Sequence, residues 1–93
     1  MVYEVSNLKV KDYEKWKTGF NEIISIIKDN GAKCRRIFRD QEDPNKVMVI
    51  IEWENLEKAN KLTQDKEIMN KFQNLGILEV NIRHFEEIEN KKL

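Results

Sequence analysis

The chain has 93 residues and very few side chains suited to chemistry: one histidine, one cysteine, a short basic cluster and a helical stripe of aromatics. His84 is the one side chain whose ordinary pKa lies near neutrality, so in a cavity it could serve as a general base. It equally suits a partly buried histidine packed beside Ile82 with a backbone partner, and that plainer role outweighs the first. Cys34 lies beside Lys33, Arg35 and Arg36, cations that would favour the thiolate of an exposed cysteine. No histidine is near it in sequence and cysteines are usually buried, so nucleophilic catalysis is the minor reading. A closed metal site is not expected, because a single His and a single Cys offer no His-x-His or Cys-x-x-Cys spacing. Lys33, Arg35, Arg36 and Arg39 could hold an acidic ligand, but a charged edge strand that resists aggregation explains them better. Tyr13, Trp16 and Phe20 could line a pocket for a flat ligand, although stripes at helical spacing are usually core, and Trp53 fits the same description. Gly19 lies inside the same helix, where it costs about 1 kcal/mol relative to Ala, which suggests close packing or a ligand mouth.

These residues must be held by elements that the periodicity outlines. Met1 to Val10 reads as a strand. Asp12 then caps a helix from about Tyr13 to about Asn30, with Tyr13, Trp16, Phe20, Ile23, Ile24 and Ile27 on one face and Asn30-Gly31 as its stop. Lys33 to Asp40 alternates as a half-buried strand, and Glu42-Asp43-Pro44-Asn45 is a turn. Val47 to Ile51 is apolar on both faces, as befits a central strand covered on both sides. Asn55 caps a helix carrying Leu56, Ala59 and Leu62, Asp65 restarts it with Ile68, Met69, Phe72 and Leu75, and Gly76 ends it. Ile77 to Phe85 is the last strand, with Leu78, Val80, Ile82 and His84 on one face and Glu79, Asn81, Arg83 and Phe85 on the other. A charged tail follows.

The order strand, helix, strand, strand, helix, strand predicts a single ferredoxin-like α+β domain: a βαββαβ two-layer sandwich with a four-stranded antiparallel sheet and helices on one face. The first and third strands are then central. With only one sheet face covered, apolar residues of the third strand would stay in water, and a homodimer packed through the open faces would recover that burial. Seventeen Lys and Arg balance 17 Asp and Glu, which argues against nucleic acid as a partner and leaves little self-repulsion in a dimer. An RNA-binding module of the same topology would need basic and exposed aromatic residues with glycine on the third strand, and Val47 to Ile51 has none. The glycine-rich anion loop of acylphosphatases and the paired cysteines of copper chaperones are also missing. One cysteine makes no internal disulfide and suits a reducing, cytoplasmic setting. No apolar run approaches the roughly 18 residues of a membrane span, and no leader pattern opens the chain.

Val10-Lys11-Asp12-Tyr13 with Trp16 and Phe20, Asp43-Pro44-Asn45 before an apolar strand ending Glu52-Trp53-Glu54, then Ala59 and Gly76, together resemble the dimeric α+β-barrel superfamily. Within it the chain is most similar to antibiotic biosynthesis monooxygenase-like and small cyclase-like proteins, from about Val5 to about Glu87. Members include cofactor-free monooxygenases, haem-degrading enzymes and lactone isomerases, among which a fold cannot choose. Proteins of this kind often carry a histidine two residues before the valine that closes the first strand; here Leu8 stands there, and the position of His84 is commonly apolar. Haem degradation is disfavoured: Asn7 could match the asparagine of those enzymes, but Leu62, Met69 and Phe72 supply neither their tryptophan nor their histidine. The resemblance implies a cofactor-independent oxidation of a small aromatic or phenolic compound in a cavity between the dimer's sheets. Asn7 and His84 would be its catalytic candidates, Trp53 its ligand-binding candidate, and no metal or other cofactor is called for. A non-enzymatic dimeric protein that binds a small hydrophobic ligand, or acts in stress, is the alternative.

Overall fold

Alternation, capping and turn chemistry produce seven elements in the computed structural model, which describes residues 1–93. They are β1 (Val2–Val10), α1 (Tyr13–Asp29), β2 (Ala32–Arg39), β3 (Lys46–Trp53), α2 (Leu56–Thr63), α3 (Lys66–Gln73) and β4 (Ile77–Glu86). The sheet order is β2-β3-β1-β4, with every pair antiparallel, so β1 and β3 are central as expected. The second helical segment is two helices rather than one. Asp65 accepts hydrogen bonds from the backbone N–H groups of Glu67 and Ile68, and this cap starts α3 afresh.

The start of α1 is tied to the sheet. Asp12 Oδ1 accepts from Lys15 N at 3.2 Å, while Tyr13 N donates to Asn45 Oδ1 at 3.1 Å, so the turn before β3 satisfies a second orphan donor. Val10 N donates to Asn45 O at 2.9 Å, and Lys11 N to Gly76 O at the same distance. Gly31 and Gly76 lie at φ +102° and +75°, where side chains are disfavoured, and they turn the chain from helix into β2 and β4.

Register divides the sheet into two faces. Glu4, Ser6 and Leu8 stand opposite Ile51, Val49 and Val47 on one side and His84, Ile82 and Val80 on the other, all toward the helices. This side buries Val47, Val49, Ile51 and Trp53 against Trp16, Phe20, Ile27, Ala59 and Leu62. On the opposite face Val5 pairs with Ile50 and Asn7 with Met48, flanked by Phe38 on β2 and by Arg83 and Phe85 on β4. The expectation that β3 is covered on both sides is met on one side only: Met48 and Ile50 are half-exposed in the single chain. No helix is long and apolar enough to cross a membrane.

Candidate functional site

A cavity of about 450 Å³ lies between the sheet and the three helices, and 12 of its 17 lining residues are hydrophobic. Strand β1 contributes Glu4, Ser6 and Leu8 at alternate positions, and α1 contributes Trp16 and Phe20 one turn apart. Helices α2 and α3 close the other wall with Leu62, Met69 and Phe72. The rings of Trp16 and Phe20 stack, with centroids 5.1 Å apart and an interplanar angle of 10°, and Phe72 tilts against Phe20 at 6.1 Å. Leu78, Val80 and Ile82 of the edge strand also line the cavity yet are 53%, 54% and 41% exposed, so they mark its mouth. Trp16 and Phe20 are therefore core, as the spacing of the stripe predicts, and also a cavity wall, while Tyr13 is half-buried against the core and outside the cavity lining.

One ionisable side chain is buried here. Glu4 is 4% exposed, and its Oε2 lies 3.1 Å from Nε2 of His84, the neighbour that antiparallel pairing of β1 with β4 sets beside it. Burial raises the Glu4 carboxyl above the ordinary carboxylate range, and the His84 hydrogen bond opposes that rise without cancelling it. Glu4 faces the cavity, whereas His84 stands behind it and is not part of the lining. Glu4 is not among the residues whose type and spacing suggest chemistry. Its signal was a charged residue in phase with Leu8 and Val10 on the buried side of β1.

The other candidates are scattered. Asn7 is exposed on the open face of the sheet, where it pairs with Met48 and Asn81, so the sheet separates it from His84. There it borders a second, shallower cavity of about 600 Å³ with Phe38, Arg39, Lys46 and Met48. Trp53 is fully buried at the far end of β3, its Nε1–H without a partner, and it lines neither cavity. Cys34 is exposed on the open face, its Sγ 3.9 Å from Arg35 O. The basic cluster does not converge. Arg35 and Arg39 lie over the rings of Phe20 and Tyr13 at 5.6 and 4.4 Å, and Arg36 lies over Phe38 on the opposite face at 5.0 Å. The three arginines are spent on aromatic faces instead of one anion. No three His, Cys, Asp or Glu side chains gather as a metal site would require.

The expectation set the functional cavity between the sheets of two copies. The apolar cavity of this chain lies on the other side of the sheet, within one copy, because the two short helices α2 and α3 leave β4 uncovered and a space beneath them.

No family model and no curated protein matches the sequence. Solved structures do. SnoaB, a cofactor-independent oxygenase from Streptomyces nogalater, is 11% identical, with a TM-score of 0.82 over 96% of this chain and 94% of its own. A Bordetella bronchiseptica protein described as an antibiotic biosynthesis monooxygenase is 13% identical, with a TM-score of 0.80 over 95% and 97%. Another so described, from Nitrosomonas europaea, is 12% identical, with a TM-score of 0.74 over 96% and 100%. The expected fold, ferredoxin-like and similar to antibiotic biosynthesis monooxygenases, is the fold observed.

Proposed function

We propose that the chain binds a flat aromatic or phenolic compound in the cavity between its sheet and helices and oxidises it with dioxygen, without a cofactor. The observation that carries this reading is the buried Glu4 carboxyl, held by His84 from outside the lining, in the wall of a mainly apolar cavity. Trp16, Phe20 and Phe72 offer ring faces for stacking, and the apolar lining excludes water from a reacting anion. An anthrone is a suitable test substrate. Loss of one proton from its CH2 group leaves an electron-rich anion that can reduce dioxygen directly. Overall CH2 and O2 become C=O and H2O: the carbon gives up four electrons, and each product receives one oxygen atom. The protein need only orient the substrate, take the proton and hold the developing charge. His84 belongs to this site through Glu4, whereas Asn7 and Trp53 do not reach it. Likeness of fold to a named cofactor-independent oxygenase supports the reading. In the same reading a second copy covers the open sheet face, where Val5, Met48 and Ile50 lack a second layer.

The test is oxygen uptake with anthrone. One O2 should be consumed per anthrone at a rate well above that in buffer, and Glu4→Gln, which removes the ionisable group from the cavity wall, should slow it by on the order of a hundredfold, the usual effect of disabling acid–base catalysis. Uptake no faster than in buffer would end the enzymatic reading. A second reading is favoured by Leu8, which stands on the cavity wall where similar proteins often place a histidine. It makes the chain a binder of such compounds, and anthrone bound without uptake would select it.

A further inference from the structure

We propose that Glu4, through Oε1, is the catalytic residue of this cavity, that His84 is a positioning residue, and that the cavity therefore selects uncharged proton donors over anionic analogues. This rests on the reading above that the cavity holds an aromatic ligand. Glu4 lines the cavity and His84 does not, so a ligand meets the carboxyl first. Oε2 is engaged by His84 Nε2, while Oε1 makes no hydrogen bond within the chain and, unlike Trp53 Nε1, is not sealed from contact. Oε1 is therefore a free acceptor on a side chain that lines the cavity, and a ligand hydroxyl or acidic C–H is the donor that would bond to it. The His84 bond holds one carboxyl oxygen and leaves the other free for the cavity that Glu4 lines. The proton passes from ligand to Oε1 and the electron pair stays on the ligand, so the net charge of the cavity is unchanged by the step.

Charge determines the selectivity. Every charged lining residue is acidic: Glu4 inside and Glu79 at the mouth. Helix α1 brings Trp16 and Phe20, α2 Leu62 and Thr63, α3 Met69, Phe72 and Gln73, and β3 Val49 and Ile51, all neutral. His84 on β4 is the only basic group against Glu4. A carboxylate or phosphate ligand would add a negative charge beside Glu4 with no lysine or arginine to pair with it, whereas a neutral ligand adds none.

Naphthol and naphthoate, flat probes of like size and opposite suitability, test this by titration at neutral pH. Naphthol should bind the wild-type protein about tenfold or more tightly than naphthoate. Bound naphthol should also show naphtholate emission, because its excited hydroxyl loses a proton to a neighbouring acceptor. Glu4→Gln should keep naphthol bound, abolish that emission and narrow the preference over naphthoate. His84→Phe should keep the emission but move its pH midpoint upward, since the His84 bond holds the Glu4 carboxyl down. A merely structural role for either residue would move binding and leave the emission in proportion. Equal affinity for the two probes in wild type, or unchanged emission in Glu4→Gln, would overturn the inference and spare the cavity reading. Failure of wild type to bind naphthol at all would overturn both. The comparison of probes in wild type needs no variant to fold.

Discussion

Glu4 concentrates the cost and the use of this site in one side chain. Burial raises its carboxyl above the ordinary value of 4.5, so the folded chain keeps a proton there at pH values where the unfolded chain has released it. Stability should therefore fall as pH rises from about 4.5 through the raised value, and the loss should be absent below that window. Glu4→Gln does not titrate, so urea melts of the two proteins should diverge in favour of the variant across the window. A difference that instead favoured wild type increasingly with pH would contradict the sign. Asp40 runs the other way. The backbone N–H groups of Asp43 and Glu42 hold its carboxyl below the ordinary value, so its small, exposed contribution is lost on acidification.

At the scale of elements, α1 is set by two contacts of different reach. Asp12 caps it locally, and Asn45, 32 residues away from Tyr13, caps it again from the turn before β3. Asp12→Ala should cost about 1 kcal/mol and Asn45→Ala about 1–2 kcal/mol by chemical denaturation, the second more because it also frees the turn from the helix. Equal, negligible losses would show that neither cap matters. The helix meets Leu75 at Gly19, where an added Cβ would overlap a Leu75 methyl. Alanine gains about 1 kcal/mol of helix propensity there but must displace that methyl. A double-mutant cycle should show Gly19→Ala to be more favourable in a Leu75→Ala background, by about 0.5 kcal/mol or more. Additive effects would mean that Leu75 moves aside freely.

At the scale of the whole molecule, the sheet has a helix-covered side with a cavity and an open side with a half-exposed apolar centre. Light scattering on a sizing column should give twice the 11.2 kDa chain mass, and Ile50→Glu, at the centre of the open face, should return the chain mass. Wild type running at the chain mass would remove the second copy. What the amino-acid order determined by itself was everything local. Spacing placed α1 and its aromatic stripe, caps at Asp12, Asn55 and Asp65 placed the helix starts, and alternation separated Val80, Ile82 and His84 from Asn81 and Arg83. Periodicity of 3.6 or 2 is a property of neighbouring residues, so it is readable without the fold. Only the tertiary structure decided that Glu4 meets His84 across 80 residues, that Asn7 and His84 lie on opposite faces, and that the apolar cavity sits under the helices. Those outcomes depend on strand register and on how far two short helices reach across a four-stranded sheet. Both are settled by packing between distant segments, for which no short stretch of sequence carries the information.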